Sequence, residues 1–168
     1  LEKINKLNNT MNRISRSLLT LFFLTSVIAC KKDNERIDEE KPKIDLTAES
    51  AFPKQCSQIK RGESFNFQMH LSDNVALGSY SIDVHNNFDH HSHSTEVEEC
   101  TLDPIKKPVK PFSIVKTMDI PGQPKDYVAQ LKIDVPLDID PGNYHFMVQV
   151  TDQSGWSTQR GISIRITE

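Results

Sequence analysis

The chain has 168 residues, with 20 Lys+Arg against 23 Asp+Glu, six histidines and three cysteines. A net charge of −3 with no basic stripe argues against a nucleic-acid partner and suits a metal cation better than a phosphate. The balance turns more acidic once the N-terminal segment is set aside, because that segment holds Lys3, Lys6, Arg13 and Arg16 but only Glu2.

That segment is a targeting signal. From Met11 it reads "MNRISRSLLTLFFLTSVIAC". Arg13 and Arg16 form a positive n-region, and Leu18 to Ile28 form an apolar run too short to span a bilayer comfortably. Ala29 supplies the small residue before Cys30, which completes the layout of a secretory signal peptide. Leu1 to Thr10 precede an already complete signal and read as an upstream segment. Val27-Ile28-Ala29-Cys30 resembles the lipobox of bacterial lipoproteins. The resemblance implies that Cys30 is acylated, starts the mature chain and anchors it to a membrane. After it comes "KKDNERIDEEKPK", polar throughout and without apolar periodicity, the pattern of a flexible tether over residues 30–42. Lys and acidic residues directly after the cysteine resemble the surface-export signal of Bacteroidetes lipoproteins. That implies an outer-membrane protein facing outward, with a periplasm-facing position as the alternative.

From residue 43 to 168 the apolar residues alternate at period two, which predicts strands in one domain. Lys43 to Leu46 suits an edge strand. Ser64 to Leu71 places Phe65, Phe67, Met69 and Leu71 on one face. Ser79 to His85 turns Tyr80, Ile82 and Val84 inward, and Ser81, Asp83 and His85 outward. Phe112 to Ile120 is a less regular strand. Val128 to Val135 turns Ala129, Leu131, Ile133 and Val135 inward. Tyr144 to Val150 turns Tyr144, Phe146, Val148 and Val150 inward, and His145, Met147 and Gln149 outward. Ile162, Ile164 and Ile166 mark the last strand.

Turn signals separate these runs at Ser72-Asp73-Asn74, Pro121-Gly122, Asp140-Pro141-Gly142-Asn143 and Gln153-Ser154-Gly155. About seven short strands predict a single all-β sandwich of the immunoglobulin-like, or cadherin-like, type. A long histidine-containing insert, Asn86 to Pro111, interrupts it, and loops of that length are often functional. Tyr144, just after a turn, is placed like a tyrosine corner, whose hydroxyl ties the turn backbone. In an oxidising compartment Cys56 and Cys100 are expected to pair as a disulfide, with free thiols or metal thiolates as the alternatives.

Together the lipobox, the acidic tether, "NNFDHHSHS", "GNYHFMVQVTD" and the strand pattern resemble a Bacteroidetes family of surface lipoproteins of unknown function. That family is described with an immunoglobulin-like or cadherin-like fold, so the resemblance implies a fold and an address but no activity.

"NNFDHHSHS" is the main functional clue. Imidazole is the commonest ligand for zinc and copper. His91-Ser92-His93, at i and i+2, puts two rings on one side of an extended segment. In the expected topology the third and penultimate strands are antiparallel neighbours. The third ends where the penultimate begins, so His85 and His145 should face outward at a shared rim. His85, His91, His93 and His145 are therefore the candidate ligands for Zn²⁺ or Cu²⁺, with Asp89 and His90 as substitutes. His70 belongs to the opposite end of the other sheet and should not join them. Such a site should release metal below about pH 6, because protonated imidazole does not ligate.

No nucleophile elbow, P-loop, Rossmann glycine pattern or H-E-x-x-H occurs, and no catalytic residue is assigned. Three histidines with Asp89 as base would match a catalytic zinc, the residual enzymatic reading. The main alternative to metal binding is an adhesive or structural module with a protein or glycan partner. Asp73-Asn74, Asp138, Asp140 and Asp152 are oxygen donors of the calcium kind, but no D-x-[DN]-x-[DN]-G loop is present and each has a turn to serve. Glu96, Glu98 and Glu99 read as a solvated acidic run, and Trp156 as a cap on the sheet end.

Overall fold

The structure is a computed structural model that describes residues 37–93 and 100–168. Cys30, the leader, most of the tether and the run Glu96, Glu98, Glu99 lie outside the described residues. The described chain is an all-β sandwich of eight strands in two sheets. Strand β1 spans Lys43–Asp45, β2 Ser57–Lys60, β3 Ser64–Ser72 and β4 Leu77–Asn86. Strand β5 spans Ile114–Asp119, β6 Asp126–Asp134, β7 Gly142–Asp152 and β8 Ser157–Thr167. One sheet runs β1-β3-β6 and the other β2-β8-β7-β4-β5.

Seven of these strands are the expected ones. The eighth, β2, is an addition: it has four residues, of which only Ile59 is buried, too little to register as an alternating pattern. It pairs in parallel with β8, Ile59 opposite Ile166, and extends the five-stranded sheet at one edge. The predicted inward sets do line the core between the sheets. Phe67, Met69, Leu71, Tyr80, Ile82, Val84, Ala129, Ile133, Tyr144, Phe146, Val148 and Val150 are each less than 5% exposed. Phe67 stacks on Phe146 at 5.5 Å across the interior. Burial of such side chains is worth about 1.5–3 kcal/mol each, so the alternation itself selects the register.

Two expectations are corrected. Parity turns Met147 to the solvent face, yet it is only 4% exposed. The domain also begins before Lys43: Asp38 and Pro42, within the stretch assigned to the tether, are buried. Asp38 has side-chain and backbone bonds to the sandwich that no periodicity in a polar segment could reveal.

The insert between β4 and β5 is pinned at both ends. Phe88 is 2% exposed and meets the Tyr144 ring edge-on at 5.2 Å. Gly142 makes room for it: φ there is +133°, and a Cβ would lie 3.0 Å from the Phe88 ring. The Cys56–Cys100 disulfide, expected from the sequence, is formed and fastens the returning limb beside β2. Asp103 pairs with Arg165 at 2.6 Å. Further on, Asp140 Oδ2 accepts from the backbone N–H groups of Val109 and Lys110 at 2.7 and 2.8 Å. Those bonds hold its carboxyl below the usual carboxylate range, the Val109 N–H contributing most. The Tyr144 hydroxyl donates to the Asp140 carbonyl at 2.5 Å and accepts from the Phe112 N–H at 3.1 Å, the role expected of a tyrosine corner. Burial raises the Tyr144 pKa.

Candidate metal centre

Strands β4 and β7 are antiparallel neighbours, and His85 stands directly opposite His145 in their register. Both have outer-face parity, so directly opposed side chains fall on the same surface of the sheet. The insert folds back over that surface and brings His91 and His93 to it. Ring centroids are 5.4 Å apart for His85–His145, 4.8 Å for His91–His145 and 4.6 Å for His93–His145. One ligand nitrogen from each of the four rings lies within 4.8 Å of all the others. The four principal candidates are thus brought together.

The insert roofs the rim at which His85 and His145 face outward. His145 is 0% exposed, covered by the insert rather than sunk in the core, and its Nε2–H donates to the His91 carbonyl at 3.1 Å. His85 and His93 are half-buried, and His91 lies at the edge of the cluster with 37% of its side chain exposed.

The two substitute ligands have other tasks. His90 turns away, with φ at +60°, and its Nε2–H donates to the Asp103 carbonyl at 2.7 Å, bridging the two limbs of the insert. Asp89 does not enter the cluster. Its Oδ1 accepts from His91 Nδ1 at 2.5 Å, and that bond keeps the Asp89 carboxyl below its ordinary range. Asp83 treats His85 in the same way, accepting from Nδ1 at 2.8 Å. Each carboxylate fixes the tautomer and leaves Nε2 as the lone-pair nitrogen, the outer-shell arrangement usual around metal-bound histidine. Accordingly His85 Nε2 faces His93 Nε2 at 3.1 Å. A tetrahedral zinc shell with bonds of about 2.0–2.1 Å spaces its nitrogens roughly 3.3–3.4 Å apart, and the His85–His93 pair stands close to that spacing.

Asp83 was not expected as part of the site. The signal was present: Asp83-Val84-His85 and Asp89-His90-His91 repeat one D-x-H spacing, which places a carboxylate beside its histidine on one side of an extended chain. His70 stays on the other sheet, 3.4 Å from Asp126.

The fold and site define a β-sandwich with a four-histidine cluster clamped between two strands and an insert. The chain belongs to the family of a domain of unknown function, DUF4625, whose model matches residues 28–167. No curated protein matches it. Among solved structures it is similar to Spo0M, a sporulation control protein from Bacillus subtilis, at 11% identity and a TM-score of 0.40. That match covers 76% of this chain and 49% of the Spo0M chain, so the chain spans about half the length of that structure.

Proposed function

We propose that this chain is a lipoprotein, anchored through Cys30 to the outer membrane and facing the cell surface, that holds one Zn²⁺ or Cu²⁺ ion on His85, His91, His93 and His145. The observation that carries the reading is the convergence of four imidazole nitrogens within 4.8 Å, two from paired strands and two from the insert. Imidazole suits zinc and copper, and the carboxylates on His85 and His91 raise ligand basicity. Four histidines complete a tetrahedral shell, whereas a catalytic zinc keeps an open position. The site therefore serves capture of the ion, or a clamp that orders the insert, rather than hydrolysis.

The test is elemental analysis of the whole chain, detergent-solubilised and free of any histidine tag, after zinc or copper loading and dialysis. One equivalent of metal is expected. Replacing His91 and His93 by alanine, both outside the core, should abolish retention while the protein stays folded. Asp83→Asn should weaken it about 10–100-fold. Metal-free protein after loading, with a melting temperature indifferent to zinc, would remove the proposal. In that case a second reading gains: an adhesive module binding protein or glycan, favoured by the exposed apolar side chains of Ile105, Val109 and Val115 on the insert and edge strand.

A further inference from the structure

At the other end of β7 the chemistry changes from nitrogen to oxygen. Asp152, the last residue of the strand, continues the inward parity of Val148 and Val150, a position where an apolar residue is the rule. It is 4% exposed. Its Oδ1 accepts from the Trp156 N–H at 2.8 Å, while its Oδ2 is buried and accepts from nothing among the described residues. Gly78 sits opposite, at the register shift in β4, where a Cβ would lie 2.9 Å from the Asp152 carbonyl. The two backbones close around this end of the strand for want of a side chain.

Two more carboxylates meet it. Asp73, in the turn from β3 to β4, accepts from the N–H groups of Val75 and Ala76 through Oδ2 at 2.7 and 2.8 Å. Its Oδ1 is also buried and has no partner among the described residues. Asp38 is 8% exposed and accepts from the Glu40 N–H and Asn74 Nδ2 at 3.1 Å each, and from Ser154 Oγ at 3.5 Å. One carboxylate oxygen from each of the three lies within 4.8 Å of the others. Among the described residues no Lys, Arg or His pairs with any of them.

Three buried carboxylates gathered without a cation repel one another, and burial makes that repulsion worse. Hydrogen bonds hold one oxygen of Asp73 and of Asp152 and leave the other out of solvent and without a donor. We infer that Asp38, Asp73 and Asp152 form a second metal site, for a hard divalent cation of the calcium class. Carboxylate oxygen is the ligand such ions take, and oxygens within 4.8 Å of one another fall inside the roughly 4.8 Å span of a calcium shell of about 2.4 Å radius. Magnesium demands near-ideal octahedral geometry and keeps several waters, whereas calcium accepts irregular oxygen sets such as carboxylates borne on separate segments. The ion would join the point where the chain enters the domain to the β3–β4 and β7–β8 turns. The Trp156 indole, which donates to the Asp38 carbonyl at 2.9 Å, already spans two of those segments.

The experiment uses the whole chain in detergent, stripped with chelator and dialysed. Thermal unfolding is followed with and without about 1 mM calcium, beside Asp152→Asn and Asp73→Asn. Calcium should raise the melting temperature of the parent chain by several degrees and leave both variants unmoved. In the stripped state each variant should be at least as stable as the parent, because one of three repelling charges is gone, and calcium should reverse that order. Terbium should give emission sensitised by Trp156, displaced by calcium, a readout that does not depend on the variants folding. The His91/His93 alanine variant should keep the calcium response whatever becomes of its zinc binding. Equal melting temperatures with and without calcium, together with no calcium-displaceable terbium emission, would overturn the inference.

Discussion

His145 and Asp152 stand on one strand, seven residues and roughly 24 Å apart. Both are almost wholly buried, at 0% and 4% exposure, and each meets side chains from other segments. The routes to burial differ. His145 has outer-face parity and is covered from outside by an insert that carries two more histidines. Asp152 has core-face parity and is buried because it ends the strand between two turns. The first end offers borderline-soft nitrogens whose tautomers are set by Asp83 and Asp89. The second offers hard oxygens partly held by backbone N–H groups. A single strand can therefore present two ligand chemistries, because pleat parity and strand length are independent variables.

The contrast breaks most visibly if the two ends are not independent. Replacing Cys56 and Cys100 together by alanine removes a cross-link that spans 44 residues. It should cost about 4 kcal/mol of stability on the chain-entropy model. The insert is the part released, so zinc retention should fall with it while the calcium response persists. Denaturant unfolding with and without each metal would measure both effects. A calcium response lost to the same degree would mean that the domain reacts as one unit.

Next in size is Tyr144→Phe. The hydroxyl is buried with two partners, the Asp140 carbonyl and the Phe112 N–H, and its removal leaves both without the bond. A cost of about 2 kcal/mol is expected, read as a lowered denaturation midpoint at unchanged slope. The change lies beside the turn that precedes His145, so the histidine end should loosen first. Hydrogen exchange should accelerate at the start of β7 more than at its end.

The two ends were not equally legible in the sequence. His85 and His145 followed from parity and one topological assumption, because strong apolar alternation in β4 and β7 fixes which residues face out. His91 and His93 announced themselves by composition. What parity could not supply was burial on the outer face: His145 counts as solvent-facing until the insert is placed over it, and Met147 is buried on that face as well. Asp152 could have been found by extending the inward set of β7 two residues beyond Val150, where a charged residue breaks the pattern. Asp38 could not. It lies in "DNERIDEE", where acidic residues are common and nothing periodic distinguishes one from the next. Its burial depends on contacts with Asn74, Ser154 and Trp156, which are distant in the chain. Strand β2 is illegible for a different reason: four residues with one buried side chain, Ile59, make no alternating pattern.

The smallest expected effect separates the two ends by pH. Asp140 fastens the last part of the insert through the Val109 and Lys110 N–H groups, and those bonds, the Val109 one first, hold its pKa below the ordinary carboxylate range in the folded chain. A folded-state pKa lower than the unfolded one stabilises the protein above the unfolded value. That contribution is lost as pH falls through the depressed folded value. Asp140→Asn should therefore cost on the order of 1 kcal/mol near neutral pH, where the carboxylate is a charged acceptor at an exposed site. The difference from the parent chain should shrink below about pH 4 and vanish once both states bind the proton. Denaturant midpoints for the two proteins between pH 7 and pH 3 would show it. A gap that stayed constant across that range would mean that Asp140 holds the insert by shape alone, and that its charge does nothing for the histidine end.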